Sequence, residues 1–138
     1  MKPLEELRKK FIVEEKLDEK RISEYVERIL RFGKVSIDGS VIIEKEDIST
    51  KDKVCLALVM RLLASRLEKG ISADVHAREI SQFLVIPENQ VIARLADLAK
   101  SKEKFAVRVD KGVYRANSLQ IGRFLDYLES KYGGEKGE

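Results

Sequence analysis

The chain has no tryptophan, one cysteine, one histidine and two prolines among its 138 residues. A single cysteine, Cys55, excludes an internal disulfide and points to a reducing compartment. With one cysteine and one histidine there is no cluster of soft ligands to hold a zinc ion. There is no glycine-rich phosphate loop, and the many carboxylates are scattered among lysines, so no acid/base pair stands out. The expectation is a chain without cofactor or catalytic centre, and not an enzyme. His76 stands at a helix start and reads as an exposed or capping side chain, while Cys55 reads as a small core residue. Long apolar runs are also missing. The longest, Val54 to Met60 and then Leu62 to Ala64 beyond Arg61, is too short and too charged at its flanks to span a bilayer. No signal-peptide pattern occurs, so the expectation is a soluble, cytoplasmic protein that stays out of membranes.

What is present is charge. Acidic and basic residues make up 37% of the chain and hydrophobic residues 43%, with a net charge of +3. A Lys- and Glu-rich balance of this kind is common in proteins from hot environments, and a solvated helical surface reads much the same. A chain of this length is one domain, or one domain with an N-terminal extension. The charge is unevenly spread. Residues 1–48 hold 11 Lys/Arg against 12 Asp/Glu, and residues 94–115 hold seven basic residues against three acidic ones. The basic excess is local, as a nucleic-acid contact would require.

Taken in order, residues 3–15 predict a helix with Pro3 at its start and Leu4, Leu7, Phe11 and Ile12 along one side. Residues 18–32 predict a second, with Ile22, Tyr25, Val26, Ile29 and Leu30 as its stripe and Gly33 as the C′ residue. Asp38-Gly39 between β-branched runs predicts a hairpin over 33–47. A two-residue loop puts Val35 and Ile37 with Ile42. A three-residue loop aligns Val35 with Val41 or with Ile43. Apolar groups fall on both faces in either case, so the hairpin is expected to be covered on both sides. Ser49 to Asp52 resembles a capping box opening a helix to about Lys69 that is apolar almost all round, and such a helix belongs in the middle of a fold. Residues 71–75 predict a short strand. Phe105, Val107 and Val109 alternate in the first arm of a hairpin turning at Asp110-Lys111-Gly112. Ser118 is placed to cap a last helix with Leu119, Ile121, Phe124, Leu125 and Leu128 inward and Tyr127 or Tyr132 beside them. The expected units are a helix-helix-hairpin extension over 1–48 packed on a core over 49–132, and a disordered tail over 133–138. The fold class is mainly α with small β-hairpins (α+β).

Residues 76–100, HAREISQFLVIPENQVIARLADLAK, hold two short amphipathic segments that meet at Val85-Ile86-Pro87. Ile80, Phe83 and Leu84 recur on one face of the first, and Val91, Leu95 and Leu98 on one face of the second. Pro87 suits the first turn of the second helix. With the hairpin that follows, the order from Ser49 onward resembles the winged helix-turn-helix superfamily over residues 49–132. The resemblance implies a DNA-binding protein, a transcriptional regulator or chromatin-associated factor, often a dimer. It makes Asn89, Gln90 and Arg94 the readers of base edges, since Asn and Gln match adenine and Arg matches guanine. Lys100, Lys102, Lys104, Arg108, Lys111 and Arg115 become the contacts to backbone phosphates. Glu88 and Asp97 share the same helix surface. Val85 stands where the related motif has a left-handed glycine, and Val resists positive φ, so the turn is expected to differ or Val85 to remain helical. The other reading of the same pattern is an adaptor that binds protein within a larger nucleic-acid-processing assembly. In either case the N-terminal half offers a surface for a second copy or a protein partner.

Overall fold

A computed structural model describes residues 3–12 and 17–133. The elements in order are α1 (Leu4–Phe11), α2 (Glu19–Ile29), β1 (Gly33–Val35), β2 (Val41–Ile43), α3 (Thr50–Leu67), β3 (Val75–His76), α4 (Ala77–Leu84), α5 (Glu88–Lys100), β4 (Ala106–Asp110), β5 (Val113–Ala116) and α6 (Ile121–Tyr132), with a 3-10 turn over Ser118–Gln120 before α6. The fold is α+β, with two antiparallel sheets: β1-β2, and a three-stranded sheet in the order β3-β5-β4. The expected helix over residues 13–15 and all but the first residue of the expected tail over 133–138 lie outside the described residues; Gly133 itself is ordered as the buried C-cap of α6, its amide donating to the Glu129 carbonyl at 3.0 Å. Among the described residues no helix is long and apolar enough to cross a membrane.

α3 is the centre. Eleven of its residues are buried, in an unbroken run from Val54 to Leu63 plus Asp52. A helix apolar on every side must be packed on every side, and here α2, α4, α5, both hairpins and α6 share one core with it. Its first turn matches the sequence. Ser49 caps it, its side chain accepting from the Asp52 amide at 3.2 Å. The reciprocal half of the box is made by another residue. The Ser49 amide donates to the Tyr132 hydroxyl at 3.1 Å, and that hydroxyl donates to Asp52 Oδ2 at 2.6 Å. Tyr127 donates to the same oxygen at 2.8 Å. A buried carboxylate thus fastens the end of α6 to the start of α3. Burial and the bond to Asp52 push the Tyr127 hydroxyl above its ordinary pKa.

Several local expectations change. α2 ends at Ile29, before Phe32, whose amide N–H donates a hydrogen bond back to the Ile29 carbonyl at 2.7 Å and whose side chain is fully buried. Gly33 is the first residue of β1 and not a left-handed C′ residue; a Cβ there would run into the Ile42 carbonyl. The first hairpin takes the three-residue loop, with Val35 opposite Val41 and Gly39 at φ 95°. Only one of its faces is covered. Val41 is buried, whereas Ile37 and Ile42 are exposed. The third strand is confined to Val75 and His76, with Ile71 buried as coil. Asn117 and not Ser118 makes the cap before the last helix, accepting from the Leu119 amide, and Leu119 faces out. α1 buries none of its residues.

α2 is tied to α6 by a forked arginine. Arg28 donates to both oxygens of Glu129 at 3.0 and 2.9 Å and to Asp126 at 2.7 Å. These bonds hold the Glu129 carboxyl below its ordinary range. A carboxyl depressed in the folded state adds stability above its unfolded pKa, and that stability is lost as pH falls through the folded value. Stability should therefore fall on acidification below the ordinary carboxylate range, and Glu129→Gln should make that fall shallower. Thermal unfolding across that pH range checks this; parallel profiles for the two proteins would contradict it.

The one charged side chain buried midway along α3 is Arg61, 5% exposed. Its Nε donates to the Ser72 carbonyl at 2.9 Å, and one terminal nitrogen donates to the Gly39 carbonyl at 3.3 Å and to Glu79 at 2.9 Å. Arg61→Ala strands these carbonyls and leaves a cavity, so it should cost about 2–5 kcal/mol. Arg61→Lys should restore only part, because an ammonium lacks the planar fork. Urea unfolding measures both, and an Arg61→Ala midpoint equal to that of the parent would refute the role.

Candidate nucleic-acid interface

The surface built by α4, α5 and the β4-β5 hairpin begins with the cap of α4. His76 Nδ1 accepts from the Arg78 amide at 3.0 Å, and Glu79 reaches back to the His76 amide at 3.3 Å. His76 is therefore a capping residue, as its position suggested. Its ring also rests on Gly112 in the hairpin turn, where a Cβ would come within 3.1 Å of Nε2. Gly112 has φ 71°, and its carbonyl accepts from the Ala77 amide at 2.9 Å. The start of α4 and the tip of the hairpin thus hold each other.

The α4–α5 turn contradicts the sequence expectation. Val85 adopts the left-handed conformation, φ 56° and ψ 55°, and is 86% exposed. Ser81 imposes it: its carbonyl accepts from the Val85 and Ile86 amides, and its hydroxyl donates to the Ile86 carbonyl at 2.6 Å. Bracketed in this way, the backbone overrides the preference of a β-branched residue. Pro87 is the N-cap of α5, one residue before the first turn, and its carbonyl accepts from the Gln90 and Val91 amides. A left-handed non-glycine costs about 1–2 kcal/mol, less the entropy glycine itself forfeits, so Val85→Gly should stabilise by roughly 0.5–1 kcal/mol. Thermal unfolding reads this directly; a destabilised Val85→Gly protein would contradict it.

α5 buries Val91, Leu95 and Leu98, as its periodicity predicted, and exposes Asn89, Gln90, Ala93, Asp97 and Lys100. The three predicted base readers do not share one face. At 100° per residue, Asn89 and Arg94 point about 140° apart around the helix. Asn89 lies toward the hairpin with Ala93, Ala96 and Lys100, whereas Gln90, Arg94 and Asp97 lie on the far flank. Arg94 is also engaged, its Nε donating to Asp97 at 3.1 Å.

The predicted phosphate contacts divide as well. The β4-β5 register pairs Ala106 with Ala116, Val107 with Arg115 and Arg108 with Tyr114. Tyr114 and both alanines face the core, so Arg108 points to the same side, toward α5. Val107, Val109 and Arg115 are exposed, the two valines 44% and 46%. Phe105 packs on the core as expected, its ring 5.4 Å from that of Phe124, but within the strands the hairpin is half-buried in the opposite phase from that expected for Val107 and Val109. Arg115 is bound to Asp74 at 2.7 Å, which raises its pKa. Lys102 and Lys104 are exposed on the loop between α5 and β4.

A groove of about 610 Å³ runs between α5 and the hairpin. Ile92, Ala96, Ala99 and Tyr114 line its apolar floor, and Lys100, Arg108, Lys111 and His76 stand around it. Lys100, Arg108 and Lys111 make no ion pair among the described residues. Sequence reasoning missed the floor. Its signal was the run of small residues at 93, 96 and 99 on one flank of α5. The Asp74–Arg115 pair, 41 residues apart, left no signal at all. Among the described residues no cluster of His, Cys, Asp or Glu is arranged to hold a metal ion. No protein-family model, curated protein or solved structure matches the chain.

Proposed function

We propose that residues 49–132 are a winged helix-turn-helix module that binds duplex DNA, as a regulator or chromatin-associated factor does. In this reading α5 lies in the major groove and the β4-β5 hairpin is the wing against the backbone. The observation that carries it is the convergence of Lys100, Arg108 and Lys111, without ion pairs among the described residues, on the groove beside the exposed face of α5. Cations free of partners are the ones that release counterions from DNA. Lys102 and Lys104 extend the same basic surface along the loop. Asn89, on the wing side of α5, is the first candidate for a base contact. Gln90 lies on the far flank, and Arg94 reads a base only when it leaves Asp97. Arg115 sits on the outer face of the sheet and positions Asp74 rather than touching phosphate.

Binding measured against salt tests this. Lys100→Ala, Arg108→Ala and Lys111→Ala should each lower the log–log salt slope by roughly 0.9, and Arg115→Ala should leave it unchanged. Asn89→Ala should relax sequence preference by about 1–3 kcal/mol at one base pair if its contact is bidentate. Asp97→Asn should tighten non-specific binding by freeing Arg94. A flat titration at about 50 mM salt, where electrostatic contacts are strongest, would end the DNA reading. The exposed Val107 and Val109 favour a second reading, an adaptor whose wing binds protein within a nucleic-acid-processing assembly.

A further inference from the structure

One ring nitrogen of His76 is engaged and the other is not. Nδ1 accepts from the Arg78 amide at 3.0 Å and so caps α4. A ring nitrogen that accepts a hydrogen bond carries no proton, so the neutral imidazole has its single N–H at Nε2. That N–H meets no acceptor among the described residues. It lies at the hairpin turn, where Gly112 leaves it room, since a Cβ there would stand 3.1 Å from Nε2. His76 and Gly112 both line the groove between α5 and the hairpin. Tyr114 lines it too, only 9% exposed, and its hydroxyl bonds to no group among the described residues. A polar group so nearly buried ordinarily has a partner. Lys100, Arg108 and Lys111 stand around the same groove, and no carboxylate is among the described residues that line it. Two uncharged donors and three cations, without an opposing acceptor, suit an oxyanion.

We propose that this groove is a phosphate site in which His76, through Nε2–H, and Tyr114, through its hydroxyl, donate to phosphate oxygens that the three cations attract. The inference deepens the DNA reading and rests on it for the source of the phosphate, the backbone of a duplex. A free phosphate ion presents the same oxygens. Cations draw phosphate in from many directions, whereas an oriented N–H fixes where it sits. The ring of His76 caps α4 and rests on the hairpin turn at once. A phosphate bonded to it is therefore held in register with both the helix pair and the hairpin.

The chain has one histidine, so its imidazole signals in a nitrogen-15 spectrum of the full chain belong to His76 alone. The spectrum without ligand should show the proton on Nε2. Inorganic phosphate, added against sodium chloride of equal ionic strength, should move the Nε2 signal, and Tyr114→Phe or Lys111→Ala should reduce that movement. In duplex binding, His76→Ser keeps a capping oxygen but removes the Nε2 donor, and Tyr114→Phe keeps the ring but removes the hydroxyl. Each should weaken affinity roughly tenfold. Neither should change the salt slope, because an uncharged donor releases no counterion. Variants that bind duplex as tightly as the parent overturn the proposal and leave the DNA reading standing. Phosphate that moves Nε2 in a protein whose duplex titration is flat supports the site and ends the DNA reading. An Nε2 signal moved by neither phosphate nor duplex overturns the proposal, as does a lowered salt slope in His76→Ser.

Discussion

Burial of apolar surface holds this molecule together, but it has no direction. α3 has apolar side chains all round, so burial alone would leave its rotation within the core weakly specified. The Arg61 guanidinium removes that freedom. A cation placed out of water is costly unless hydrogen-bonded acceptors surround it, and only one rotation of α3 brings Gly39, Ser72 and Glu79 to it. Glu79 in turn closes the cap on His76, whose ring lies on Gly112 at the hairpin turn. The first hairpin, the segment before β3, the start of α4 and the second hairpin are therefore aligned through one side chain. The groove beside α5 has its shape because this relay fixes the hairpin against the helices.

The start of α3 is fixed by the same kind of contact. Asp52 accepts from Tyr127 and Tyr132 and lies 3.6 Å from Lys131, whose pKa is raised first by its bond to the Tyr127 hydroxyl. α6 is thus locked to α3 at one end, while Arg28 locks α2 to α6. A helix with few polar groups is located by two of them, one near its first turn and one past its middle. Between them the apolar residues are left to pack.

This explains which parts were legible in the sequence. Ile22, Tyr25 and Ile29, the run from Val54 to Leu63, the Val91, Leu95 and Leu98 set and Phe124, Leu125 and Leu128 follow from spacing alone, because periodicity encodes which face is buried. The Ser49 and His76 caps follow from residue type and position. What spacing does not carry is contact between distant segments. Nothing near Asp52 in sequence announces Tyr132, and nothing near Arg115 announces Asp74. Val85 was misjudged for the same reason. Its own preference is against positive φ, and the decision is made by Ser81 four residues away. Of the candidate site, the cations and the small-residue flank of α5 could be read, but not which cations share a groove.

That last point turns on a single residue of strand phase. In β4 the larger apolar side chains are Val107 and Val109, and alternation placed them inward. β5 decides otherwise. Tyr114 pairs with Val75 of β3 across the sheet and is buried, so its neighbour across the other edge, Arg108, must lie on the same face. Ala106 and Ala116 are small enough to bring that face close to the helices, which valines there would prevent. Because side chains alternate with a period of two, the choice fixes Ala106, Val107 and Arg108 together, and Val109 falls where the register shifts before Asp110. Arg108 joins Lys100 and Lys111 beside α5, Arg115 is carried to the far side with Asp74, and the valines are left in water. The side of the sheet on which each cation stands thus follows from where two alanines and a tyrosine fit.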